Sequence, residues 1–221
     1  MSRWGMVADL RRCVGCQTCS SACRHANATP PGIMWRRVVD MEAGDYPDVR
    51  RIFVPVGCNH CDDPPCVQAC PSTATRKRAD GIVTQDYDIC IGCGYCIVAC
   101  PYQARGKITT PVAAYARHGR IDSEEARFDP RTIGVAQKCT FCVERIDEGL
   151  GQGLTPGGDP EASPACVNAC LARALTFGDL DDPASNVSTL LADNPSFRMH
   201  QDLGTGPNIH YLWDRGAGGH R

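Results

Sequence analysis

The sequence has no long hydrophobic run. Among its 221 residues, no stretch approaches the roughly 18 consecutive apolar positions that a membrane span needs. Aromatic residues make up only 6%, and neither sign of charge is in excess, with 23 Lys and Arg against 25 Asp and Glu. That balance excludes a generic polyanion binder. Met1 to Val7 lead almost directly into a cysteine group at Cys13, without a charged n-region, an apolar h-region and a cleavage site. A chain without its own export signal is therefore expected. No nucleophile–base pair, phosphate loop or carboxylate dyad stands out, so catalysis within this chain is not expected either. With 43% hydrophobic residues the composition is that of a soluble globular protein, not of a disordered one.

What the sequence does have is sulfur. Its 16 cysteines fall into four groups of four with none left over: Cys13, Cys16, Cys19, Cys23; Cys58, Cys61, Cys66, Cys70; Cys90, Cys93, Cys96, Cys100; and Cys139, Cys142, Cys166, Cys170. The first and third groups read C-x2-C-x2-C-x3-C, and Pro101 follows the third, which is the bacterial ferredoxin run for iron–sulfur clusters. The second group widens one gap and ends in Pro71; the fourth splits into a C-x2-C pair and a C-x3-C pair. A tight C-x2-C-x2-C loop wraps three iron corners of a cubane, while the fourth cysteine starts away along a helix and serves the neighbouring cluster. Gly15, Gly92 and Gly94 fit loops that pass close to a cluster, because they lack a Cβ. Two other uses of cysteine compete. A disulfide framework belongs to short secreted chains, and regular C-x2-C pairs are not loop staples. Zinc ribbons pair two C-x2-C knuckles and have no use for a third cysteine in the loop or for the C-P ending.

Short apolar strands feed the cysteine loops. Gly5-Met6-Val7 precedes the first group, Ile52 to Val56 the second and Gly81-Ile82-Val83 the third, and Ala174 to Phe177 leaves the fourth. The unit of strand, loop, short helix and returning strand recurs, so the predicted fold class is α+β: two nested bacterial-ferredoxin-like modules with loop insertions. Groups two and three form an inner module, residues 50–110. Groups one and four form an outer module, residues 1–49 and 111–215, with a flexible tail at 216–221. Residues 107–135, of mixed charge, and the Gly- and Pro-rich 149–164 read as surface loops, and 183–194 as a packing helix. Arg11-Arg12, Arg50-Arg51, Arg76-Lys77-Arg78 and Lys138 stand beside cysteines in sequence. They are expected to offset the negative charge of thiolate-bound clusters and to raise nearby reduction potentials. His60, inside Cys58-Asn59-His60-Cys61, reads as a hydrogen-bonding residue and not a ligand.

This order of motifs resembles the four-cluster iron–sulfur subunit of the dimethyl sulfoxide reductase superfamily of molybdopterin oxidoreductases, of the kind in sulfite, thiosulfate, polysulfide, tetrathionate and dimethyl sulfoxide enzymes. The matching stretches are Gly5 to Cys16, Cys58 to Cys61 with Pro64-Pro65-Cys66, Cys90 to Cys96 with Ala99-Cys100-Pro101-Tyr102, and Lys138 to Cys142. The resemblance implies four [4Fe-4S] clusters. By position, Cys13, Cys16, Cys19 and Cys170 would hold one, and Cys23, Cys139, Cys142 and Cys166 its neighbour. Cys58, Cys61, Cys66 and Cys100 would hold the third, and Cys70, Cys90, Cys93 and Cys96 the fourth. Because Cys93 is kept, all four are expected to be cubanes, not three-iron clusters. The chain closes on Leu212-Trp213-Asp214-Arg215 and a Gly-rich tail where formate dehydrogenase relatives add a membrane helix. The implied partners are a large molybdenum or tungsten catalytic subunit and an integral-membrane quinone-reactive subunit. Membrane association is expected through partners, on the cytoplasmic face or on the periplasmic face if an exported partner carries the chain. A free-standing polyferredoxin is the competing function.

Overall fold

The computed structural model describes residues 2–110, 113, 115 and 117–213. In chain order it begins with strand β1 (Trp4–Asp9), helix α1 (Thr18–Asn27), and the hairpin of β2 (Arg36–Ala43) and β3 (Arg50–Gly57). Helix α2 (Pro65–Gln68), a short hairpin of β4 (Thr75–Lys77) and β5 (Val83–Gln85), helix α3 (Tyr95–Val98) and strand β6 (Arg105–Gly106) follow. Next come helix α4 (Asp122–Glu125), strand β7 (Gln137–Lys138), and helices α5 (Val143–Gly151) and α6 (Ala165–Asn168). Strand β8 (Leu175–Asp179), helix α7 (Asn186–Asp193), and strands β9 (Ser196–Phe197) and β10 (Ile209–Leu212) complete the order.

Every residue of β1 is buried, as an apolar run covered on both faces should be. It lies inside a four-stranded sheet of order β8-β1-β10-β9. Met6 stands opposite Phe177 on antiparallel β8 and opposite Ile209 on parallel β10. Met6, Phe177, Ile209 and Tyr211 join Cys19, Cys23 and Cys166 in one core, so sulfur and sheet side chains pack together. On the other side, Val7 and Leu212 receive Val187 from α7. That helix is the one expected at 183–194. Its N-cap is Ser185, whose side chain accepts from the Ser188 N–H at 3.2 Å.

The short helices pack in pairs, α1 against α6 and α2 against α3. The hairpins do not respect the expected division at residues 50 and 110. β3 pairs with β2, and β6 pairs with β7. Only β4 and β5, between the second and third cysteine groups, close a hairpin within the 50–110 segment.

Both expected surface loops carry structure of their own. Ile108 bridges Ile133 in parallel, Gly134 donates to the Ile108 carbonyl at 2.7 Å, and Arg120 lies 3.5 Å over the Phe128 ring. In 149–164, Ala162 and Ser163 are buried, and Gly157 (φ +91°) is pressed so closely on the Phe177 carbonyl that a Cβ would not fit. The tail at 216–221 lies outside the described residues. Among the described residues no helix is long and apolar enough to cross a membrane.

Candidate metal centre

In each group the third cysteine sits in the first turn of a helix: Cys19 in α1, Cys66 in α2, Cys96 in α3 and Cys166 in α6. The loops reach two of these helices through left-handed residues, Gln17 (φ 60°) before α1 and Gly94 (φ 82°) before α3, and the other two through Pro64 and Pro164. In three groups the helix then stops short, so Cys70, Cys100 and Cys170 leave on identical turns. Thr73, Gln103 and Arg173, all left-handed, donate their N–H to the carbonyl of the cysteine three residues back. Two of those cysteines also receive a backbone N–H at sulfur, from Thr75 to Cys70 at 3.5 Å and from Ala174 to Cys170 at 3.2 Å. In the first group, α1 runs ten residues and keeps Cys23 inside it.

None of the sixteen cysteines forms a disulfide. A small cleft is lined by Cys13, Cys16 and Cys19 together with Cys170 from the far end of the chain. Cys23 instead faces Cys139, Cys166 and Cys142, which with burial push its pKa up. Burial, helped by Cys58, Cys66 and Cys100, pushes Cys61 up to about 12. Cys96 faces Cys66 and Cys70. Cys90 is half-buried and Cys93 exposed on the loop into α3. At the opposite extreme from Cys23, exposed Cys16 is lowered by the side-chain and backbone hydrogen bonds of Thr18.

The two inner C-x2-C loops meet. His60 and Phe141 occupy the same position in Cys58–Cys61 and Cys139–Cys142, both left-handed, with ring centroids 3.8 Å apart. Phe141 also meets Phe177 edge-on at 5.3 Å. His60 Nδ1 accepts from the Val83 N–H at 3.0 Å, in keeping with the hydrogen-bonding role expected for it.

The glycines differ in what protein stands beside them. Space beside Gly15 and Gly92 is taken by protein, the Phe53 ring and the Gly134 carbonyl respectively. No protein atom crowds Gly94, which makes the left-handed turn into α3.

The basic residues beside the cysteines in sequence are mostly turned elsewhere. Arg11 pairs with Asp9 at 2.8 Å, Arg51 with Asp40, Lys77 with Asp62 at 3.2 Å, and Arg78 with Asp80 at 2.9 Å and Asp147 at 2.6 Å. Of the expected set, Lys138 is the one buried against thiols. Its Nζ donates to the carbonyls of Val83 and Cys139. Sequence proximity missed Arg36 and Arg105, which are buried at 2% and 7% exposure. Arg36 Nη2 lies 3.9 Å from Cys166 Sγ and 3.0 Å from Met6 Sδ. Arg105 Nη2 lies 3.1 Å from Cys66 Sγ. Burial alone would lower the pKa of either guanidinium, but neighbouring thiols outweigh it and raise both. A signal for Arg105 does exist in the sequence. Five residues after the last cysteine of the second, third and fourth groups stand Thr75, Arg105 and Leu175, and only the third repeat has a charge there.

The donor set suits a group that carries acceptor sulfur. Arg36 Nε and Nη1, His60 Nε2 and Thr140 Oγ1 are buried beside the thiols without a hydrogen-bond partner among the described residues. A buried donor without an acceptor is costly, and native proteins seldom leave one. No three of the described His, Cys, Asp and Glu side chains close on a single ion.

Two families described as 4Fe-4S dicluster domains match residues 49–114 and 82–171. A selenate reductase subunit from Mesobacillus selenatarsenatis is 39% identical, covering 95% of this chain and 72% of its own. The putative dimethyl sulfoxide reductase iron–sulfur subunit of Halobacterium salinarum is 40% identical over 96% and 79%. The chain belongs to the iron–sulfur subunits of the dimethyl sulfoxide reductase superfamily. Another member, the arsenate respiratory reductase iron–sulfur subunit ArrB of Shewanella sp. strain ANA-3, is 38% identical over 95% of this chain and 96% of that one. As an iron–sulfur subunit the chain is an electron-transfer component, not a catalytic subunit.

Proposed function

We propose that this chain is the electron relay of a molybdopterin oxidoreductase complex, with four [4Fe-4S] clusters between a catalytic subunit and a membrane quinone-reactive subunit. The ligand sets are those implied by the family likeness, with crossed fourth cysteines. The observation that carries the reading is the exchange of partners between the first and last groups. Cys170 shares a cleft with Cys13, Cys16 and Cys19, while Cys23, only four residues beyond Cys19, faces Cys139, Cys142 and Cys166. The long helix α1 makes the exchange possible by carrying Cys23 one turn beyond Cys19 along the same buried face.

Each bound cluster would supply a one-electron donor and acceptor site. The chain's residues do the rest. The Cys58–Cys61 and Cys139–Cys142 loops are buried, which keeps water from the middle of the relay. Backbone N–H groups of Thr75, Ala174 and Phe141 point at the sulfurs of Cys70, Cys170 and Cys139. Electrostatic interaction between thiols links successive quartets, Cys19 with Cys166, Cys139 with Cys58, and Cys96 with Cys66. Around the two outermost quartets, apolar side chains stand in solvent: Val14 and Leu171 at one, Ile91, Tyr95 and Val98 at the other. Exposed apolar groups at both ends suit docking onto larger subunits, through which membrane association would come.

The test is metal and sulfide analysis of the chain purified with its catalytic partner. About 16 irons and 16 sulfides per chain are expected for four cubanes. Eight irons, or full cluster content with rapid turnover by the isolated chain between soluble carriers and no partner, would overturn the reading.

A further inference from the structure

Three cations are buried among the thiols, and each sits where two quartets meet. Arg36 acts electrostatically on Cys166, Cys139 and Cys23 and also on Cys19 of the next quartet. Lys138 acts on Cys139 on one side and on Cys58 and Cys66 on the other. Arg105 acts on Cys66 and Cys58 and, across the following junction, on Cys96. Four quartets linked in succession have three junctions, and each junction holds one cation.

None of the three has a carboxylate within ion-pair distance among the described residues. Of the cations expected from sequence, Arg11, Arg51, Lys77 and Arg78 do, and none of these four is buried. Burying a charge without an opposite charge is expensive. Among the described residues, the acidic groups that act on Arg36 are led by the thiols of Cys166 and Cys139, and those that act on Arg105 by the thiols of Cys66 and Cys58. Geometry for direct contact is present at both, at 3.9 Å from Cys166 Sγ and 3.1 Å from Cys66 Sγ. Arg36 keeps two further nitrogens, Nε and Nη1, without an acceptor among the described residues.

We propose that Arg36, Lys138 and Arg105 are potential-setting residues, one per junction, each favouring the electron on the two clusters that flank it. The proposal rests on the four-cluster relay above. One electron added to a cluster makes it more negative by one charge, with no bond made or broken. A fixed cation therefore stabilises the reduced form more than the oxidised form. Because each cation is shared, it raises the potentials of both clusters that flank it. Surface pairs such as Arg78–Asp147 add little, since they are locally neutral and screened by solvent.

The experiment is an EPR-monitored redox titration of the cluster-loaded chain, in its complex, for Arg36→Gln, Lys138→Gln and Arg105→Gln, with Arg36→Lys and Arg105→Lys as charge-conserving controls. Cys16→Ser and Cys93→Ser identify the two end signals. Arg36→Gln is expected to lower the reduced-to-oxidised ratio at fixed potential about tenfold, or about 59 mV for one electron. This should happen at the two clusters on the Cys19/Cys166 junction and not at the other two. Arg105→Gln should shift the opposite pair, Lys138→Gln the middle pair, and the lysine controls should stay near the parent. If Arg36→Gln does not load, Arg105→Gln decides by the same readout. Full iron content with four unmoved potentials, or an equal shift of all four, would overturn the proposal. A parent chain without four titrating centres would instead overturn the relay reading beneath it, whatever the variants do.

Discussion

The two inner C-x2-C loops and the two outer ones do the same job in opposite surroundings. Cys58, Cys61, Cys139 and Cys142 are buried, whereas Cys13 and Cys90 are half-buried and Cys16 and Cys93 are exposed. The inner loops lean on each other through His60 and Phe141. The outer loops lean on single contacts, Gly15 on Phe53 and Gly92 on the Gly134 carbonyl, and turn Val14 and Ile91 outward. The motif nearest to the ferredoxin run is thus the one at the surface, and the widened versions form the core. A buried loop can be widened because neighbouring structure holds it. An exposed loop must hold its own geometry.

If this contrast is right, removing a ligand should cost far more inside than outside. Cys139→Ser is expected to lose a whole cluster, about four irons, and to lower the soluble yield sharply, since cluster binding contributes to folding. Cys16→Ser should accumulate with three clusters intact and one altered. Iron content and soluble yield compare the two, and equal losses would break the contrast.

A smaller effect separates the side chains between the ligands. Phe141 is 1% exposed and packs on His60 and Phe177, so Phe141→Ala should cost about 3–5 kcal/mol. Ile91, at 68% exposure, should change stability by no more than about 0.5 kcal/mol on replacement by Ala in the chain without partners. Denaturant midpoints of the loaded proteins measure the difference.

The smallest effect sharpens the comparison within one loop. Gly92 (φ +65°) abuts the Gly134 carbonyl, while Gly94 (φ +82°) faces open space. Gly94→Ala carries only the left-handed penalty, about 1–2 kcal/mol. Gly92→Ala adds a backbone collision and should exceed it in the same thermal-unfolding measurement.

Much of this was legible in the sequence because iron–sulfur spacing and strand patterning are local. The cysteine groups, the strands at Gly5-Met6-Val7 and Ile52 to Val56, and helix α7 all rest on neighbouring residues. The buried cations were not legible by the same means. Arg36 reaches Cys166 across 130 positions and Arg105 reaches Cys66 across 39, so closeness in sequence pointed to Arg11, Arg51 and Arg78 instead. Those three find carboxylates, Asp9 two positions from Arg11 and Asp40 eleven from Arg51, with Asp147 69 positions from Arg78. The sharing of hairpins across residues 50 and 110 was hidden for the same reason. A strand's pattern shows that it pairs, not with which partner.

Whether the fourth cysteine of the first group crosses to the last group is tested most directly by EPR-monitored redox titration of Cys23→Ser beside Cys16→Ser and Cys139→Ser. The crossed ligation predicts that Cys23→Ser and Cys139→Ser disturb the same cluster signal and that Cys16→Ser disturbs a different one. If Cys23→Ser instead disturbed the signal that Cys16→Ser disturbs, the crossed arrangement would be contradicted.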